Sequence, residues 1–135
     1  MSKSAMIPMP LSIASNFHRD PQKEISNWRK LTFGVPSGDK PTLIGNQIKR
    51  MLKELDELKA ASQDLLLADT EYLRNCVKKE MCDVLVTMFS VADEMEFVLL
   101  LEVLYVHWTN MNREWKSHGD GTGQHVKKAP WELER

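Results

Sequence analysis

The sequence predicts an all-α fold arranged as a four-helix bundle, with an extended N-terminal arm and a C-terminal tail. Three observations carry this expectation. Apolar residues recur at helical spacing in two stretches, Ile44, Ile48, Met51, Leu52, Leu55, Leu58 and Phe97, Leu100, Leu101, Leu104, Trp108, Met111, Trp115. Asp20-Pro21 and Asp69-Thr70 carry helix-start chemistry, an acceptor side chain at the cap followed by Pro or an acid in the first turn. Short connections between these segments favour antiparallel neighbours.

Taken in order, residues 1–19 read as a flexible arm rich in Ser, Pro and Met. A first helix opens at Asp20-Pro21, uses Ile25, Trp28, Leu31 and Phe33 as its apolar edge, and stops near Thr32 ahead of Gly34. Val35 to Pro41 reads as a loop. The second helix starts near Leu43 and runs into the 60s. The third follows Asp69-Thr70 and ends near Glu94 to Glu96, although neither Gly nor Pro marks that break. The fourth runs from Phe97 to Trp115; Leu99, Val103 and Val106 give it a second apolar face, which calls for a second neighbour such as another subunit. His118 to Gly123 is a Gly-rich turn. The expected division is arm 1–19, helical domain 20–116, and tail 117–135, which folds over the site or a partner subunit.

The chain has 135 residues and a formal net charge of -1, enough for one domain with a core and without the basic footprint of a nucleic-acid binder. Cys76 and Cys82 share one helix with no metal or disulfide spacing, so a reduced, cytoplasmic protein is expected. The apolar run from Phe97 to Val106 is too short to span a bilayer, and the N-terminus makes a poor signal peptide.

The informative stretch is Glu80 to Phe89. On a helical wheel, Val77, Met81, Val84, Leu85, Met88, Phe89, Val91, Ala92 and Met95 cover most of the circumference, while Glu80, Asp83, Thr87, Ser90 and Glu94 share one narrow sector. A helix so apolar is expected to be buried, and buried carboxylates need a paired charge or a metal. Glu54 and Glu57 show the same spacing of three on the preceding helix. Antiparallel packing can bring the two pairs face to face, and oxygen ligands favour Mg²⁺ or Mn²⁺ over Zn²⁺. Glu-x-x-Glu alone is mostly solvated surface; Glu80-x-x-Asp83 inside an apolar helix is the rarer signal. A di-iron centre is set aside, because no His stands three residues after a Glu. Trp28 and Phe33 are read as packing between helices rather than as a base-stacking pair.

Glu54-x-x-Glu57 followed by Glu80-x-x-Asp83 resembles the metal motif of the MazG-like all-α NTP pyrophosphohydrolases. Trp28 to Gly34 and Arg50 to Glu54 are similar to the lead-in of phage and bacterial members, Asn110-Met111-Asn112-Arg113 to their Asn-Met-x-Lys segment, and Gly123 to Trp131 to their Gly-Lys-x-x-Lys-Gly-Pro tail. Lys53 stands where the family usually has a further Glu, Arg113 replaces Lys, and Gln124 replaces Lys. The resemblance implies a Mg²⁺-dependent (d)NTP pyrophosphohydrolase of the all-α NTP pyrophosphatase type. Glu54, Glu57, Glu80 and Asp83 would hold the metal, and an activated water would attack the α-phosphate to give (d)NMP and pyrophosphate. Asn110, Arg113, Lys127, Lys128 and Trp131 would contact substrate. It also implies a homodimer or homotetramer. The base is not specified: a dUTP-, dCTP- or phosphoribosyl-ATP-specific enzyme on the same scaffold fits too. A helical interaction protein without turnover is the competing class.

Overall fold

The computed structural model describes residues 8–126. Among them the chain is predominantly helical, with five α-helices and one antiparallel two-stranded hairpin. It divides into two compact units, Met1–Leu99 and Leu100–Arg135.

The first unit holds α1 (Leu11–Arg19), α2 (Pro21–Phe33), α3 (Lys40–Leu67) and α4 (Glu71–Glu94). α1 replaces part of the expected loose arm. Pro10 caps it without a side-chain bond, and His18 and Arg19 in its last turn suit the negative end of the helix dipole. α2 begins as expected: the Asp20 carboxylate accepts from the Lys23 N–H at 3.1 Å, Pro21 fills the first turn, and Gly34 (φ 86°) ends it. α3 starts three residues before Leu43, because Asp39 caps it, accepting from the Thr42 N–H at 2.8 Å, and Pro41 belongs to its first turn rather than to the loop. Thr70 caps α4, accepting from the Leu73 N–H at 3.2 Å.

α4 ends in a Schellman-type turn. The Phe97 N–H reaches Ala92 O at 3.1 Å, the Glu96 N–H reaches Asp93 O at 3.1 Å, and Glu96 takes φ 62°. The Gln22 amide of α2 pins this break from both sides: Nε2 donates to Phe97 O at 2.7 Å and Oε1 accepts from the Leu99 N–H at 3.0 Å. α3 and α4 lie side by side, and α2 packs against the C-terminal half of α4. The small core sits at that crossing, where Val84, Phe89, Val91 and Ala92 are buried.

α4 departs from the expectation of burial all round. Its polar sector faces inward, with Thr87, Ser90 and Glu94 buried. Met81, Leu85, Met88 and Met95, on the far side of the wheel, are exposed. Within this unit α2 and α3 are the helices packed on α4, so no other helix of the unit lies over the apolar stripe.

In the second unit, α5 (Leu99–Met111) stops four residues short of Trp115. The Asn112 side chain donates to Trp108 O at 2.7 Å and closes the last turn. Trp115 instead opens β1 (Trp115–Ser117), which pairs with β2 (Gly123–His125) in the register Trp115↔His125 and Lys116↔Gln124. The turn falls in the expected stretch; its strands were not foreseen. A Cβ at Gly123 would meet Lys116 O at 2.8 Å, so the pairing requires Gly there. Val103, Leu104, Tyr105, Val106 and Trp108 of α5 are exposed.

Candidate functional site

α3 presents Glu54 and Glu57 one turn apart, and α4 presents Glu80 toward them. One carboxylate oxygen from each of Glu54, Glu57 and Glu80 lies within 4.8 Å of the others. Glu54 and Glu80 are half-buried, and Glu57 is exposed. Glu54 Oε2 and Glu80 Oε2 are fully enclosed, yet neither accepts a hydrogen bond. Buried acceptors without partners are uncommon and costly, so these two atoms require explanation. Burial pushes the Glu54 carboxyl above the ordinary glutamate range; a shared hydrogen bond with Glu57 and the charges of Glu57, Asp83 and Glu80 push it further.

Asp83, the fourth expected ligand, stands beside this group but is not among the three converging oxygens. Lys79, one turn before it on α4, donates to Asp83 Oδ2 at 2.8 Å and to Glu80 Oε1 at 3.5 Å. Asp83 therefore differs from the symmetrical pairing expected of it: its carboxylate is turned to a same-helix lysine. The field of Asp83 still reaches Glu54. Lys79 went unnoticed in the sequence, although its spacing of four from Asp83 is the ordinary signal of a helical ion pair.

A second polar group lies further along the inward sector of α4. Arg29, buried on α2, faces Asp93 Oδ2 at 3.5 Å and Glu94 Oε1 at 3.7 Å. Ser26 Oγ donates to the same Asp93 oxygen at 2.7 Å. This group holds α2 to α4. The sequence signal for it was Glu94, which shares a wheel sector with Glu80 and needs a partner for the same reason.

Trp28 and Phe33 do not pack between helices. Both are exposed and meet edge to face with centroids 5.5 Å apart. Asn110 and Arg113 belong to the second unit, at and just beyond the end of α5, and the Arg113 N–H donates to Asn110 O at 3.3 Å. Lys127, Lys128 and Trp131 lie outside the described residues.

Three carboxylates so close can hold a hard divalent cation through oxygen, and the two unpartnered oxygens fit that role. Without a cation the like charges repel; a pair at 4.8 Å costs about 3 kcal/mol at an effective dielectric of 20, less where solvent reaches Glu57. No helix of the described residues is long and apolar enough to cross a membrane. Compared with protein-family models, curated proteins and solved structures, the chain matches none.

Proposed function

We propose that the protein is a Mg²⁺-dependent nucleoside triphosphate pyrophosphohydrolase of the four-helix-bundle type. The observation that carries this reading is the meeting of Glu54, Glu57 and Glu80, with the enclosed Glu54 Oε2 and Glu80 Oε2 left without donors. Glu54 and Glu80 would bind Mg²⁺ or Mn²⁺ from opposite helices, and Glu57 from the solvent side. Asp83 would join once its carboxylate leaves Lys79. When bound, the metal would neutralise the triphosphate and lower the pKa of a water molecule. The oxygen of that water would bond to the α-phosphorus as its proton passes to bulk solvent, the bond from phosphorus to the pyrophosphate oxygen would break, and (d)NMP and pyrophosphate would result. The half-buried setting of Glu54 and Glu80 keeps the local dielectric low, which strengthens each charge contact to phosphate. Asn110, Arg113, Lys127 and Lys128 are proposed as donors to phosphate or sugar, and Trp131 as a further substrate contact.

The same reading includes a homo-oligomer. The exposed stripe Met81, Leu85, Met88 and Met95 on α4, and the exposed apolar residues of α5, are surfaces that a second copy would cover. Those surfaces also support the second reading, a helical interaction protein without turnover. The test is pyrophosphate release from a panel of dNTPs and NTPs, with Mg²⁺ and with EDTA. Turnover that needs Mg²⁺ and is lost in Glu54→Gln and Glu80→Gln supports the enzyme. Absence of turnover across the panel supports the interaction protein.

A further inference from the structure

A hollow of about 510 Å³ lies in the first unit, where the end of α4 meets the first turn of α3. Its walls include Lys40, Leu43, Asp93, Glu94, Glu96 and Phe97, and its volume is within the roughly 300–1,000 Å³ of small-molecule sites. Glu94 follows Glu80 by fourteen residues, so the hollow stands about 20 Å along α4 from the converging acids.

The charge here runs against the helix. The last turn of α4 carries Asp93 and Glu94 and no basic residue, although the C-terminal end of a helix favours cations. Asp93 is satisfied, since Ser26 Oγ donates to it at 2.7 Å. Glu94 is not. Its side chain is only 7% exposed and borders the hollow, yet among the described residues it accepts no hydrogen bond. Arg29 Nη2 stands 3.7 Å from one of its oxygens and Lys40 Nζ 3.9 Å from the other, both beyond the roughly 2.7–3.2 Å of a hydrogen bond. Lys40 is 47% exposed and is shared with Glu96 at 3.6 Å. A buried carboxylate without a hydrogen bond is costly, and a donor cation in the hollow relieves that cost. Leu43 and Phe97 supply an apolar wall beside it.

We propose that this hollow binds a small primary alkylammonium ion. The ammonium donates to Glu94 and displaces Lys40 toward solvent, and the alkyl chain lies against Leu43 and Phe97. The site uses none of Glu54, Glu57, Glu80 and Asp83 and does not rest on the catalytic reading.

Two-dimensional NMR of the isotope-labelled full chain, titrated with hexylammonium chloride in EDTA, tests it. Hexanol, which lacks the charge, and tetramethylammonium, which lacks the N–H donors, are the comparison probes. Saturable shifts are expected at the backbone amides of Leu43, Phe97 and Val98, with both comparison probes at least about tenfold weaker. Glu94→Gln should weaken binding about tenfold, and Glu54→Gln should leave it unchanged. Glu94→Gln also alters the contact with Arg29, so Lys40→Met supplies a variant at an exposed position. It removes the competing ammonium and should tighten binding about threefold, a gain that a merely structural lysine would not give. Absence of saturable binding, hexanol or tetramethylammonium binding as tightly, shifts centred on the exposed stripe of α4 instead, or an affinity not raised by Lys40→Met would each overturn the proposal.

Discussion

A carboxylate oxygen of Glu54 on α3 and one of Glu80 on α4 lie within 4.8 Å of each other, and each residue also encloses an oxygen that accepts no hydrogen bond. The pairing is unfavourable as it stands. Buried like charges are tolerated where function needs them, and removing one relieves the fold. Glu80→Gln should therefore raise the melting temperature of the metal-free protein by a few degrees. The same change should lower Mg²⁺-dependent pyrophosphate release by at least about 100-fold, the scale at which removing charge stabilisation is felt. Thermal unfolding with and without Mg²⁺ separates the two effects. A variant less stable than the parent in EDTA would show that the acids do not strain the fold.

The Glu54 carboxyl gives the pH dependence. Its folded pKa is raised above the ordinary value of 4.5, by burial first and then by Glu57, Asp83 and Glu80. Between the unfolded and folded values the native state binds more protons, so stability falls as pH rises through that window. The favourable contribution is whole below about 4.5 and is lost above the folded pKa. Metal-free unfolding curves should show Glu54→Gln gaining on the parent as pH rises from about 4 to neutrality. Mg²⁺ affinity should fall over the same range as pH drops, because proton and metal compete for the carboxylate. A stability difference that stays flat with pH would remove Glu54 as its source.

Much of the helical plan was legible in the sequence because its signals are local. Asp20-Pro21, Gly34 and Thr70 act within one turn of themselves, and each stands where its chemistry placed it. The break after Glu94 falls where the sequence places it, but what makes it was not legible, because it depends on Gln22, a residue 75 positions from Phe97, and on Glu96 in a conformation more usual for Gly. The orientation of α4 was misjudged for a related reason. A wheel shows which residues share a sector but not which sector has a neighbour. Here α3 and α2 took the polar side, and Met81, Leu85, Met88 and Met95 were left exposed. At the acid group, spacing placed Glu54, Glu57 and Glu80 together but could not show the Asp83 carboxylate turning to Lys79.

Lys79 would compete with the proposed cation. Its amine lies 2.8 Å from Asp83 and 3.5 Å from Glu80, positions from which it repels a divalent ion and occupies an expected ligand. The lysine is 69% exposed, so solvent screens the pair and it holds Asp83 only weakly. Lys79→Met should tighten Mg²⁺ binding modestly. It should also lower the melting temperature in EDTA, where the lysine is the ion-paired cation of the group. Weaker Mg²⁺ binding in this variant would mean that Lys79 supports the site.

The apolar side of α4 is where the proposed assembly would form. Leu85 and Met88 are exposed within a stripe that includes Met81 and Met95, and α5 exposes Val103. A charge at such positions costs little in a monomer but must be desolvated in an interface. The parent should sediment as a dimer or larger. Leu85→Glu and Val103→Glu should shift it toward monomer and lower thermal stability and activity together. A parent that sediments as a monomer at full activity would rule this out.

The junction at the end of α4 rests on one amide and one strained residue, and the two can be tested against each other. Gln22 donates to Phe97 O and accepts from the Leu99 N–H. Gln22→Ala removes both bonds and leaves two part-buried backbone groups unpaired, a loss of about 2 kcal/mol. Glu96 at φ 62° carries the opposite sign: Glu96→Gly relieves the left-handed conformation, a gain of up to about 1 kcal/mol. That gain is reduced slightly by losing the exposed contact of Lys40 with Glu96 at 3.6 Å. The two residues flank the same turn, so their effects should not add, and Glu96→Gly should recover less in the Gln22→Ala background. Urea unfolding of the two single variants and the double variant measures this coupling. Strict additivity would mean that the amide and the turn hold the chain independently.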